Sequence, residues 1–231
     1  MVLKKDDKIK IYTLLKTASD SLYGFSSPDF ANDMPEFSDD TPVEAKHAEA
    51  ADKTSTLTNI NKKNVVSGVG AENPFVLVIV EAPSEEEAKQ GKPLAGPAGQ
   101  LLDKMLSAIG LSREKNCYIL NIVKCRLPAN RAPLPEEAVA CRQFLDAQIA
   151  ALKPKAILCA GSIAVKNLLH TNSDVMSLHG QTLNFNGIPV VATWHPRVLL
   201  HAPENKRPAW EDLKKFKKIL LNINPEYETM S

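Results

Sequence analysis

The run FVLVIV at 75–80 leaves little freedom in how this chain can fold. Six consecutive apolar residues, closed by Ala82-Pro83, lack the alternation of a strand with one wet face and are too few for a buried helix. They read as a strand buried on both faces, which needs a layer of structure above and below it. YILNIV at 118–123, AILCAG at 156–161 and PVVATW at 189–194 read as further strands. Helical patterns separate them. Leu101, Leu102, Met105, Leu106 and Ile109 share one face before the stop at Gly110. PEEAVACRQFLDAQIAAL at 135–152 opens with Pro135 and two acids, SIAVKNLL begins at Ser162, and a last helix runs from Lys206 to Leu221. Residues 81–100, punctuated by Gly91, Pro93, Gly96, Pro97 and Gly99, read as one long loop. Strands alternating with helices imply a parallel sheet covered on both faces, a three-layer α/β/α sandwich. In such a fold the ligand crevice lies beyond the C-terminal ends of the strands.

Bulk properties set the frame. A chain of 231 residues can bury one full core and carry an appendage. Residues 4–24 place Ile9, Ile11, Leu14, Leu15, Ala18 and Leu22 at helical spacing, so 1–25 is expected to hold an amphipathic helix. Residues 26–60 are polar, acidic and Pro-bearing, the composition of a flexible linker. The folded domain is then expected over 61–224, with a tail at 225–231. Seven lysines face eleven acids in residues 1–60, whereas the remainder holds 21 basic and 16 acidic residues, so the net charge of +1 hides a mildly basic body. No apolar run approaches the roughly 20 residues of a membrane span. The N-terminus makes a poor signal peptide, having acids directly after its lysines. The expectation is a cytoplasmic protein with no membrane contact, whose four cysteines are thiols or metal ligands.

Chemistry-bearing residues collect at the expected crevice. Glu81 follows the first strand, Asn121 lies near the end of the second, Gly161-Ser162 follows the third, and His195-Pro196-Arg197 follows the fourth. Each has an ordinary explanation when taken singly: a capping carboxylate, an amide satisfying backbone groups, a turn. A carboxylate, an amide and an imidazole converging on one crevice carry more weight than any of them alone.

Five strings carry a family resemblance: VEAPS at 80–84, GKPLAGPAGQLLDKML at 91–106, LNIVKCRLPANRAPLPEE at 120–137, ACRQFL at 140–145 and HPRVLL at 195–200. In order and spacing, over about 64–220, they resemble the motifs of family 4 uracil-DNA glycosylases, the iron–sulfur branch: GEAPG, GRPFVGPAGQLLDKML, TNVVKCRPPGNRxPxPEE, ACRPFL and HPAYLL. The resemblance implies a uracil-DNA glycosylase-like sandwich that takes a flipped uracil from DNA and hydrolyses its N-glycosidic bond. It implies that Glu81 positions the water and that His195 stabilises charge on the departing base. Ala82, Pro83, Leu94 and Asn121 would line the uracil, the Asn121 amide offering both donor and acceptor. Gly96, Ala98 and Gly99 at a helix start, with Arg126, Arg131 and Arg197, would hold DNA phosphates, and Val198 and Leu199 would wedge into the stack. The implied partner is uracil-containing DNA, met by a monomer at the nucleoid.

The chain also departs from that family. Val80 and Ser84 replace the glycines around Glu-Ala-Pro, and Leu94 replaces a pocket phenylalanine. If those glycines serve a positive φ or a close approach, the water site is distorted and activity impaired. The family's 4Fe–4S cluster takes four thiolates. Cys125 and Cys141 match two of them, but DKTSTLTN at 52–59 holds no cysteine where the other pair belongs, and Cys117 and Cys159 read as buried hydrophobes. The expectation is therefore a protein without the cluster. A non-catalytic DNA-binding homologue is the alternative.

Overall fold

The computed structural model describes Val66, residues 68–131 and residues 133–229. The helix and linker expected over 1–60 and the empty cysteine positions at 52–59 lie outside them. Six strands form one sheet: β1 (Val69–Gly70), β2 (Val76–Val80), β3 (Cys117–Asn121), β4 (Ala156–Ala160), β5 (Leu183–Phe185) and β6 (Ile188–Thr193), in the order β1-β3-β2-β4-β6-β5. The four inner strands, those read from the sequence, are parallel. The short outer strands β1 and β5, which were not read from the sequence, run antiparallel to their neighbours.

Both faces of the sheet are covered, which is why its central strands are apolar throughout. Val76, Val78 and Val80 pack with Leu102 and Leu106 of α2 (Pro97–Ser107) and with Leu213, Phe216 and Leu220 of α7 (Lys206–Ile223). Leu77 and Ile79 point the other way, toward Leu145 and Ile149 of α3 (Pro135–Leu152) and Ala164, Val165 and Leu168 of α4 (Ser162–Leu169). This period-2 division of one strand between two cores is the physical content of the three-layer sandwich.

Several short elements were not expected. The loop read at 81–100 contains α1 (Glu85–Gln90). Ser84 caps it, accepting from Glu87 N at 3.3 Å, while the Glu87 carboxylate accepts from Ser84 N at 3.4 Å; Gly91 ends it at φ 66°. A one-turn helix, α5, spans Val175–Leu178. Strands β5 and β6 form a hairpin across Asn186-Gly187, both at positive φ. After β6, α6 (Pro196–His201) starts at once, with His195 as its N-cap and Pro196 in its first turn.

Ser84 thus sits at φ −73°, and Val80 is an ordinary strand residue paired with Asn121 and Ala160. Neither position sits at a positive φ.

The expected tail begins as packed structure. Tyr227 is fully buried, stacks on Phe75 with ring centroids 5.7 Å apart, donates from its hydroxyl to Ile109 O, and accepts at its carbonyl from Asn116 Nδ2 at 3.0 Å. Truncating a buried aromatic costs about 3–5 kcal/mol. Tyr227→Ala is therefore expected to lower the unfolding free energy in urea by about 3 kcal/mol or more.

Candidate active site

The inner strands end in register: Asn121 pairs with Val80, Val80 with Ala160, and Ala160 with Thr193. Their next residues therefore emerge along one edge of the sheet, and the sequence-selected Glu81, Asn121 and His195 follow from that row. Asn121 Nδ2 donates to the Glu81 carbonyl at 2.7 Å. Only an NH₂ can donate to a carbonyl, so this bond fixes the amide's orientation. Asn121 is 1% exposed, and its Oδ1 has no hydrogen-bond partner among the described residues. A buried acceptor left unpaired costs free energy and is a feature that a ligand donor would relieve.

Glu81 is held against the loop after β4, where its Oε1 accepts from Ile163 N at 3.2 Å. Burial pushes its carboxyl above the ordinary value of 4.5, against the opposing pull of the Ile163 bond and of the Arg197 charge. Space for it depends on Gly161, at φ 107°, where a Cβ would come 2.3 Å from Glu81 Oε1. His195 is 3% exposed, and its Nδ1 accepts from Arg197 N at 3.1 Å. The neutral ring therefore carries its proton on Nε2. Burial, aided by the Arg197 charge, lowers its pKa to about 3, so it stays neutral at physiological pH. Lys124 Nζ donates to Asn121 O at 2.8 Å from a buried position, which lowers its pKa to about 8.

The loop bearing Leu94 is clamped from outside. Arg113, paired with Asp103 at 2.6 Å, donates to Pro93 O at 3.0 Å and to Leu94 O at 3.3 Å. Leu94 adopts φ 48° and is packed in the core. Gly99 is required at the start of α2, since a Cβ there would lie 1.7 Å from Leu94 O. Gly96 is the N-cap and Ala98 is buried in the first turn. Pro83 is buried, and Ala82 packs against the α3 side of the core.

Each of the three arginines has a carboxylate partner. Arg126 pairs with Glu85 at 2.9 Å, Arg131 with Glu137 at 2.7 Å, and Arg197 with the buried Glu87 at 3.3 Å. Leu199 corrects the wedge assignment: it is 2% exposed and belongs to the core, whereas Val198 and Leu200 are 43% and 40% exposed. Glu87 and Arg113 were missed in the sequence. Only Glu87 carried a readable signal, the Ser84-x-x-Glu87 capping pattern.

The cysteines do not fit a four-thiolate cluster. The chain has four, and Cys117 packs into the core on one face of the sheet while Cys141 and Cys159 pack into the core on the other. Burial raises the Cys125 thiol to about 11 and also raises that of Cys141, which favours the protonated forms. Among the described residues no group of three or more His, Cys, Asp or Glu is arranged to hold a metal.

A sandwich that presents a carboxylate, an amide and a neutral imidazole along the C-terminal edge of its parallel strands belongs to the α/β proteins that bind their ligands beyond that edge. Residues 67–214 match the model of the Uracil DNA glycosylase superfamily, and the chain belongs to that superfamily. It is 37% identical over 171 residues to a protein of Thermotoga maritima named Type-4 uracil-DNA glycosylase, covering 72% of this chain and 88% of that one. Proteins of the same name from Archaeoglobus fulgidus and Saccharolobus solfataricus are each 37% identical, covering 67% and 69% of this chain and 81% and 77% of theirs.

Ionised Glu81 costs stability because burial disfavours its charge. That cost is absent at acid pH and appears as pH rises from 4.5 through the raised pKa. Glu81→Gln, which keeps the acceptor for Ile163 N, is therefore expected to raise the melting temperature more at pH 8 than at pH 4. Gly161→Ala is expected to lower it at both.

Proposed function

We propose that the protein is a DNA N-glycosylase that hydrolyses the bond between uracil and deoxyribose in a nucleotide flipped out of DNA. The observation that carries this reading is the buried, unpartnered Asn121 Oδ1 beside Glu81 and the neutral His195. Three relatives named for that activity, each 37% identical, support it.

A flipped base is needed because the glycosidic bond is out of reach inside a duplex. Asn121 Oδ1 accepts from uracil N3–H, and the amide proton not given to Glu81 O donates to O4. The bond from C1′ to uracil N1 breaks with its electron pair leaving on the base. His195 Nε2–H donates to uracil O2, where the resulting negative charge spreads. Water held by the Glu81 carboxylate adds to C1′, and its proton passes to that carboxylate. An imidazole that stays neutral to about pH 3 suits this task, because it stabilises the anion without taking up a proton beforehand. Leu94, in place of an aromatic, gives up stacking worth about 1–3 kcal/mol by analogy with single-strand platforms, so excision is expected to be slow. The donor set supports a protein that works without an iron–sulfur cluster. The reading includes weak, salt-sensitive DNA binding through the basic rim.

The test is release of uracil from a uracil-containing single-stranded oligonucleotide, read as alkali-labile abasic product. Asn121→Ala and His195→Ala are each expected to lower kcat/KM by about a hundredfold or more. The rate should fall as pH drops through the raised Glu81 pKa, above 4.5, and Glu81→Gln should remove that acid limb along with most of the rate. No product from the unaltered protein would leave a non-catalytic DNA-binding homologue.

A further inference from the structure

Three glutamates follow Ser84 in α1, and each faces a group that the family resemblance gives to DNA phosphate. Glu85 Oε2 accepts from Arg126 at 2.9 Å, and its Oε1 meets Lys89 Nζ at 2.8 Å. Glu86 faces the N-cap of α2, for a Cβ on Gly96 would lie 3.2 Å from Glu86 Oε2. Glu87 takes Arg197 Nη2 at 3.3 Å from its buried position. One turn of acidic helix thus covers two arginines and one helix start, separated from it by up to 110 residues of sequence.

We infer that Glu85 and Glu86 are specificity-determining residues that stand in for DNA phosphate on the crevice rim. The inference rests on the glycosylase reading. In the free protein the rim is occupied, so DNA must exchange phosphate for carboxylate at each cation. That exchange yields little, because one anion replaces another. Undamaged DNA is therefore held weakly, while DNA that delivers a uracil to Asn121 and His195 adds hydrogen bonds the carboxylates cannot imitate. The Arg126–Glu85 pair is easily displaced, because both side chains meet solvent, which screens them. Such pairs tune affinity without locking the site. Glu87 does the same for Arg197, but it also closes the capping box at Ser84, so it is less suited to a clean test.

The experiment measures binding of a uracil-free single-stranded oligonucleotide to the full chain by fluorescence anisotropy over a series of salt concentrations. Wild type, Glu85→Gln, the Glu85→Gln/Glu86→Gln pair and Glu226→Gln are compared. Glu226 lies beside Tyr227, at the opposite end of the strands from the crevice, and controls for net charge. The double variant is expected to bind about tenfold tighter, with a salt slope steeper by about 0.7 for each further phosphate it neutralises on a single strand. Its preference for uracil-bearing over uracil-free DNA should shrink, while Glu226→Gln stays within about twofold of wild type. Unchanged or weaker binding by the double variant overturns the inference, as does equal tightening by Glu226→Gln and Glu85→Gln. Excision by wild type, assayed in parallel, separates the two levels. Wild type that excises uracil while the double variant fails to tighten removes this inference alone. A wild type that neither excises uracil nor binds DNA removes the glycosylase reading with it.

Discussion

The hydrogen-bond ladder joining β3, β2, β4 and β6 is the constraint on which everything else depends. Its register brings Asn121, Val80, Ala160 and Thr193 into one row, so four sequence-distant segments leave the sheet along the same edge. A slip of one residue in any strand would exchange its two faces. It would carry Asn121 away from the Glu81 carbonyl and turn Val78 and Val80 out of their core. The apolar content of the strands holds the register, because both faces have a core to satisfy. Packing and chemistry are thus specified by one set of interactions.

Around that row the protein keeps groups in states that water would not allow. Glu81 is partly stripped of solvent, His195 is kept neutral, and Asn121 Oδ1 has no partner among the described residues. Each is a local cost, and each is held in place by neighbours outside the sheet: Ile163 N on the carboxylate, Arg197 N on the imidazole, Lys124 behind the Asn121 backbone. Arg197 links two of these, since its main chain orients the ring while its charge acts on both ring and carboxylate. Groups poised this way are pre-arranged for a polar ligand and need no reorganisation when it arrives.

Much of this was legible in the sequence, for definite reasons. The inner strands announce themselves as unbroken apolar runs, and the long helices by one-sided apolar spacing, because burial dictates both patterns. Glu81, Asn121 and His195 follow from strand ends. The edge strands β1 and β5 are two and three residues long and leave no such pattern, although Asn186-Gly187 marks the hairpin for a reader looking for turns. Helix α1 is hidden by the glycines and prolines around it, and only its Ser84/Glu87 box gives it away. The carboxylate partners of Arg126 and Arg197 leave no trace in the sequence, since these pairs join residues 41 and 110 apart. Leu199 defeats a sequence reading because alternate residues of a short helix point to core and crevice by amounts that spacing does not fix.

The burial of Tyr227 bears on how the protein is made. Phe75 directly precedes the central strand, yet the ring stacked on it is synthesised much later, as is the carbonyl that satisfies Asn116, 111 residues upstream. A ribosome adds about 5–20 residues per second, so the nascent chain spends several seconds with this core open to solvent. The α2 side of the sandwich can close only after synthesis has passed residue 227.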